Sequence, residues 1–256
     1  MTIRVVTALY VLPGQEEYAV QLRARLDMLL RSTRAAGLPV VLFSDIAPLL
    51  DDTQSRFDHT VCVLAPFNET MAWRMASRYR WRLPPVRDPK KDTPEYMVLM
   101  ASKMEFLARA AGMLTLSAPA DALLWMDCGI SKLLGDDEPA LECMLLNIRD
   151  ASPVAGDGGD RAWIAAPEIC GLTEIVPDWV HWRFCGGMLM CNARGAHVLC
   201  ERFMEEMERT LETRGVLWWE VNVLAAIELD LLRETRLQTW KTNHDSTMLE
   251  AWRVYD

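Results

Sequence analysis

Short apolar runs alternate with longer segments of helical periodicity along the first part of the 256-residue chain. Residues 3–9, 39–43 and 60–64 are apolar runs of strand length. Between the first two, apolar side chains recur at helical spacing from about residue 16 to 36, and Gly37 suits the helix exit. Strands that alternate with helices predict a mainly parallel sheet with helices on both faces.

The same alternation continues to the C-terminus. A helix predicted over 95–112 is apolar nearly all round, which indicates a position inside the core. A strand at 162–166, helices at 195–213 and 218–233, and a short strand at 237–240 follow. No linker composition interrupts the order, so we predict a single α/β domain over residues 1–256.

Composition and charge narrow the classes of function. Hydrophobic residues make up 51% and charged residues 25%, the mean hydropathy is +0.02, and the net charge is −9. This acidic balance argues against general nucleic-acid binding, although it leaves room for one small anionic ligand. No secretory signal, transmembrane segment or paired-cysteine motif is evident, and the seven scattered cysteines indicate reduced thiols. We therefore expect a cytoplasmic protein.

One carboxylate follows the most apolar run of the chain. Residues 123–129 read Leu-Leu-Trp-Met-Asp-Cys-Gly, a pattern typical of a strand buried on both faces. Asp127 then stands at the strand's carboxyl end, where ligands bind in open α/β sheets. The alternative is that Asp127 only caps the following loop.

Basic residues concentrate in one segment, 74–95, among aromatic residues and prolines. This segment is either a solvated surface loop or a lid that closes over an anionic substrate. Lys103, on the apolar helix that follows, either extends to solvent or meets an anion.

Three further segments carry candidate chemistry. Gly186 and Gly187 precede an apolar strand, where glycine indicates a bulge or the close approach of a ligand. Glu220 begins a helix and either stabilises its N-terminus or acts chemically. His244 and Asp245 follow the last strand and are either surface residues or metal ligands. Phosphate-binding P-loop, dinucleotide-binding, nucleophile-elbow and zinc-protease motifs are absent from the sequence.

Taken in order, these segments resemble a known family. The strand ends at Thr7-Ala8 and Ser44-Asp45, the helix with Ser102-Lys103 and the run Trp125–Gly129 are similar to nucleotide-sugar glycosyltransferases of GT-A fold. Within that fold, the sequence most resembles the HtrL/YibB (WlaTC-like) bacterial group. The likeness extends over residues 3–245 and includes Phe184–Met188 and Trp219–Asn222.

The resemblance implies a GT-A-like fold, with a Rossmann-like nucleotide-binding half (1–130) and an acceptor-side half (131–256). It implies transfer of a sugar from a nucleotide donor, a UDP-sugar above all, to a glycan or small hydroxyl acceptor, assisted by Mn²⁺ or Mg²⁺. Asp127 would then hold the metal, with His244 and Asp245 completing its sphere.

The remaining roles also come from the resemblance. Thr7 and Ala8 would contact the nucleoside, Ser44 and Asp45 the base or ribose, and Lys103 the phosphate or donor sugar. Glu220 would face the acceptor as the catalytic base or a transition-state stabiliser, and Gly186 and Gly187 would lie in the acceptor-side strand and bind the donor. The usual Asp-x-Asp metal motif is broken here, because Gly129 replaces the second aspartate. A single carboxylate binds a hard cation weakly unless phosphates add ligands.

Two other functions fit the same fold. One is a catalytically silent module that binds nucleotide-sugars or glycans, and the other is a nucleotidyltransferase. The sequence leaves open the donor sugar, the acceptor, the linkage and the oligomeric state.

Overall fold

One seven-stranded sheet forms the centre of the molecule. The structure is a computed structural model that describes residues 2–114, 122–150, 161–171, 175, 178–243 and 245–249. Its strands are β1 (Ile3–Ala8), β2 (Val40–Ser44), β3 (Thr60–Leu64), β4 (Ala122–Met126), β5 (Trp163–Glu168), β6 (Met188–Asn192) and β7 (Arg236–Lys241). They lie in the order β3-β2-β1-β4-β6-β5-β7. Strand β6 runs against both neighbours and every other pairing is parallel, so the predicted mainly parallel α/β sheet is confirmed.

Helices cover both faces of the sheet. They are α1 (Glu16–Ala35), α2 (Ala47–Arg56), α3 (Met71–Ala76), α4 (Pro94–Ala101), α5 (Lys103–Leu114), α6 (Glu138–Asp150), α7 (Ala193–Arg214), α8 (Glu220–Ala226) and α9 (Glu228–Glu234). Short 3₁₀ turns lie at Phe67–Glu69, Ile130–Leu134 and Ser246–Leu249. No helix in these described ranges has the length and apolar character needed to cross a membrane.

Alternate residues of the central strands pack into two separate cores. In β4, Leu123 and Trp125 face the core under α4, α5, α7 and α8. Leu124 and Met126 of the same strand face the core under α1, α2 and α6. This two-sided burial explains why the strand carries no polar residue before Asp127.

Two predicted helices are each divided in the structure. The helix predicted over 95–112 breaks at Ser102, whose Oγ donates a hydrogen bond to the carbonyl of Val98 (2.9 Å). Such a side-chain bond competes with the helical backbone pattern. The helix predicted over 218–233 begins at Glu220 and breaks at Ile227. The break at Ser102 puts Lys103 in the first turn of α5, beneath the end of β4.

Candidate functional site

A cavity of about 970 Å³ opens at the carboxyl ends of β1 and β4. Its lining includes Ala8 after β1 and Asp127 after β4, together with the glycine pair that precedes β6. The backbone amide of Asp127 donates to the carbonyl of Gly187 (3.0 Å), which fixes the glycine pair against the end of β4. The cavity therefore lies at the sheet edge where open α/β folds bind ligands.

Lys103 joins two carboxylates at one wall of this cavity. Its Nζ lies 3.1 Å from Oδ1 of Asp127 and 3.2 Å from Oε1 of Glu220, and it donates to the carbonyl of Gly186 (2.9 Å). Burial by itself lowers the pKa of this ammonium, but the charges of Asp127 and Glu220 outweigh burial and raise it above the ordinary value. The ammonium of Lys103 donates to Asp127, Gly186 and Glu220, so all three of its hydrogens are engaged by protein oxygens.

The two carboxylates differ in how much of them remains accessible. The side chain of Asp127 is 35% exposed, against 11% for Glu220 and 1% for Lys103. The indole Nε1 of Trp125 also donates to Oδ1 of Asp127 (2.8 Å), so the orientation of Asp127 is fixed from two sides. In Glu220, Oε1 accepts the bond from Lys103, and no donor in the described part of the chain reaches Oε2.

Gly186 allows Glu220 to reach this position. A Cβ added at Gly186 would overlap with Oε1 of Glu220 and would lie 3.2 Å from its Cδ. The glycine predicted to mark a close approach therefore accommodates the carboxylate of Glu220.

The first turn of α8 connects the site to the loops around it. Asn222 is fully buried and bonds the backbone at Trp179 and His181. Trp219 donates from Nε1 to Asp92 (3.3 Å), which also accepts from the amide of Asp88 (3.1 Å). One helical turn therefore carries Glu220 and anchors the loops on both sides of it.

Three exposed lysines line the cavity. Lys90 and Lys91, from the basic segment 74–95, line the cavity together with Lys132 from the 3₁₀ turn after β4. All three are exposed. Arg74, Arg78, Arg80 and Arg82 of the same segment are not part of the lining, so only one end of the basic segment belongs to this site.

The predicted site residues fall into two groups. The cavity lining brings together Ala8, Lys103, Asp127, Gly186, Gly187 and Glu220. Thr7 and Ser44 are fully buried and, with Asp45, lie outside the lining. The Oγ1 of Thr7 has no hydrogen-bond partner among the residues that the structure describes, whereas Oγ of Ser44 accepts from the amide of Ile46.

The proposed metal ligands do not converge in the described structure. Asp245 is outside the cavity lining and accepts hydrogen bonds from Thr247, and His244 lies outside the described residues. Among the described residues, no three or more His, Cys, Asp or Glu side chains form a group that could hold a metal. With both oxygens of Asp127 already near Lys103, the donor set does not fit a protein-held Mn²⁺ or Mg²⁺.

Tyr96 is a cavity residue that sequence reasoning missed. It is half-buried, and burial together with the charges of Glu220 and Asp127 raises the pKa of its hydroxyl well above the ordinary value. Tyr96, Leu99, Met100 and Lys103 all line the cavity at spacings of three, four and seven residues. The helical spacing of these residues from Lys103 is the signal in the sequence that points to Tyr96.

Comparisons with known proteins leave the chemistry open. No protein-family model matches the sequence, and no curated protein matches it. One solved structure similar to this chain is the CMP:2-keto-3-deoxy-manno-octonic acid synthetase complexed with CTP. The TM-score is 0.45 at 10% identity, over 96% of this chain and 92% of the synthetase. A likeness of this size bears on neither reaction nor substrate, so the functional argument rests on the cavity.

Proposed function

We propose that this protein is a glycosyltransferase that binds a nucleotide-diphosphate sugar in the cavity and transfers the sugar to a hydroxyl acceptor. The observation that carries the proposal is the pairing of Asp127 and Glu220 through Lys103 at the carboxyl end of β4. Both carboxylates line the same cavity, and one is more accessible than the other. The resemblance to HtrL/YibB enzymes, carried by Trp125–Gly129, favours a UDP-sugar as donor.

The chain's own residues supply a complete set of roles. Glu220 accepts the proton of the acceptor hydroxyl through Oε2, while the acceptor oxygen bonds to the anomeric carbon of the donor sugar. The bond from that carbon to the diphosphate breaks, and the nucleoside diphosphate leaves with the electron pair. Lys103 does not contact the donor in this scheme, since its hydrogens hold Asp127, Glu220 and Gly186 in place.

The leaving diphosphate needs positive charge nearby. Lys103 with its two carboxylates has a net charge of −1, so it does not supply that charge. We assign the role to Lys90, Lys91 and Lys132, which line the cavity and carry positive charge. Asp127, held by Trp125 and Lys103, would accept a hydrogen bond from a donor sugar hydroxyl. Mn²⁺ or Mg²⁺ is a prediction of the resemblance, and no step here uses it.

A panel of sugar nucleotides tests the proposal. The protein is incubated with UDP-glucose, UDP-galactose and their N-acetylhexosamine analogues, and UDP release and melting temperature are followed. We expect UDP release with at least one donor and a raised melting temperature, since a ligand at 100 times its Kd stabilises by about 2.7 kcal/mol. If no donor is hydrolysed and none raises the melting temperature, the proposal is wrong.

The same assay separates the other two functions. A raised melting temperature without UDP release indicates a silent binding module. Pyrophosphate released from a nucleoside triphosphate in the presence of sugars indicates nucleotidyl transfer.

Measuring UDP binding tests the role proposed for Lys90 and Lys91. Replacing both Lys90 and Lys91 by alanine should weaken UDP binding about tenfold, because two exposed ion pairs are lost. Arg80→Ala is the matched control, because Arg80 is an exposed cation of the same segment that does not line the cavity. Equal losses in both variants would mean that the effect comes from overall charge.

A further inference from the structure

Two exposed tryptophans lie three residues apart in the sequence, and one of them, Trp182, lines the cavity. Trp179 is 60% exposed and Trp182 is 37% exposed. The other tryptophans in the described part of the chain are buried or half-buried. Leaving a large aromatic surface in water is unfavourable, and such surfaces often mark binding sites. This pair therefore requires an explanation other than core packing.

The loop that carries these indoles is held in place by the protein. The Nδ2 of Asn222 donates to the carbonyl of Trp179 (2.8 Å), and its Oδ1 accepts from the amide of His181 (2.7 Å). The Sγ of Cys170 donates to the carbonyl of Trp182 (3.0 Å). The next residue, Arg183, is buried between Glu168 and Glu228. The backbone under the two indoles is therefore fixed without a ligand.

The fixed loop is also joined to the candidate base. Asn222 lies on α8 two residues after Glu220, so the same helical turn holds the loop and presents the carboxylate. Trp182, Gly186 and Glu220 line the cavity together. A molecule resting on the indole of Trp182 would therefore share the cavity with Glu220.

We propose that the indole of Trp182 forms the acceptor subsite and that its ligand is a pyranose ring of a carbohydrate acceptor. This inference rests on the proposed function and narrows the acceptor from any hydroxyl compound to a saccharide. A pyranose has an apolar face of C–H groups that stacks on an indole and hydroxyls that bond to a carboxylate. A serine side chain or an alkyl alcohol lacks the first of these features.

In this arrangement one sugar hydroxyl donates its proton to Glu220 as its oxygen bonds to the anomeric carbon of the donor. The nucleoside diphosphate leaves, and every atom of the acceptor except that proton is retained in the product. Loss of the indole would weaken the hold on the acceptor ring and leave the donor contacts at Lys90, Lys91 and Asp127 in place.

The test uses the methyl α- and β-glycopyranosides of glucose, galactose and mannose as probe acceptors. UDP release from the preferred UDP-sugar is measured against glycoside concentration for the wild type and for Trp182→Ala, Trp182→Phe and Leu229→Ala. Leu229 is the matched control, an exposed apolar residue (57%) on α9 outside the cavity lining. Tryptophan fluorescence is titrated with the same glycosides in the absence of donor.

We expect at least one glycoside to accelerate UDP release. Trp182→Ala should raise the half-maximal glycoside concentration at least tenfold and change the KM of the UDP-sugar less than threefold. Trp182→Phe should recover most of the loss, and Leu229→Ala should match the wild type. If Trp182→Ala leaves the glycoside dependence unchanged, or no glycoside accelerates release or alters fluorescence, the inference is overturned although donor turnover persists. Fluorescence changes that Trp182→Ala removes, with no UDP release from any donor, would support the saccharide site and reject glycosyl transfer.

Discussion

Two ion clusters in this protein each place one cation between two carboxylates, but only one of the two clusters is accessible from the cavity. In one, Lys103 lies between Asp127 and Glu220, and in the other Arg183 lies between Glu168 and Glu228. The exposed fraction of the carboxylate side chains is 35% and 11% in the first cluster but 12% and 3% in the second. The first cluster lines the cavity, and no member of the second does.

The two cations also differ in how completely they occupy the oxygens of their carboxylate partners. The guanidinium of Arg183 binds both oxygens of Glu228 (2.8 and 2.5 Å), one oxygen of Glu168 and the carbonyl of Cys170. These bonds from Arg183 tie the loop before β6 to strand β5 and helix α9, which is a structural role. The ammonium of Lys103 instead leaves one oxygen of Glu220 without a protein donor in the described chain. Buried charge is therefore common to both clusters, and what distinguishes the Lys103 cluster is the cavity beside it and a Glu220 oxygen without a protein donor in the described chain.

The largest difference is expected when one glutamate of each cluster is made neutral. Glu220→Gln should lower the turnover number about 10²- to 10⁴-fold, because the acceptor proton loses its base. Glu228→Gln should leave turnover within about twofold and lower stability, because Arg183 loses the negative charge and one of the two acceptor oxygens of its bidentate partner. Turnover is measured by UDP release and stability by urea unfolding. Equal turnover of the Glu220→Gln variant and the wild type would exclude Glu220 as the base.

Replacing the cation of each cluster by methionine compares what the two clusters contribute to stability. Arg183→Met should cost about 3–5 kcal/mol, since it leaves Glu228 buried and unpaired. Lys103→Met should cost less, because the partly exposed Asp127 regains contact with water. The free energy of unfolding of both variants is measured in urea. The opposite order would show that the cavity cluster is the more sealed of the two.

Gly186→Ala tests how closely the position of Glu220 is set. The added methyl group would overlap with Oε1 of Glu220, so the carboxylate must shift and turnover should fall about tenfold. Gly195→Ala is a control of a different kind, because its Cβ would overlap with the backbone carbonyl of Trp163. That variant should lose stability more than turnover. A fully active Gly186→Ala enzyme would mean that Glu220 tolerates displacement.

The smallest effect concerns pH. Burial alone would raise the pKa of Glu168, but hydrogen bonds from Thr239 and Arg183 outweigh burial and hold it below the ordinary 4.5. A depressed carboxyl pKa adds stability that is fully present above about pH 4.5 and lost as the pH falls through the folded-state value. The unfolding free energy of Arg183→Met should therefore fall less steeply than that of the wild type below pH 4.5. If the unfolding free energies of the variant and the wild type fall equally steeply with pH, other carboxylates cause the loss of stability in acid.

Much of the fold and of the candidate site could be predicted from patterns among residues that are close in sequence. The strand run before Asp127, the helical spacing around Lys103 and the glycine pair at 186–187 each depend on neighbours in sequence. The rule that ligands bind at the carboxyl ends of parallel strands predicts a site at Asp127, and the antiparallel β6 brings the glycine pair that precedes it to the same end of β4. Six of the predicted site residues accordingly lie at one cavity.

What the sequence does not reveal depends on distant partners. Arg183 meets Glu228 across 45 residues, and Lys103 meets Glu220 across 117 residues. No periodicity encodes such pairings. The hydrogen bond from Asn222 to the carbonyl of Trp179 is another such pairing, because it joins a loop to a helix that is 43 residues away in sequence.

The position of bound UDP tests the central claim most directly. A crystal structure of the protein with UDP should show the diphosphate in the cavity among Lys90, Lys91 and Lys132, beside Asp127. UDP bound elsewhere on the molecule, or a cavity that remains without UDP at saturating concentration, would contradict the assignment of this cavity as the donor site.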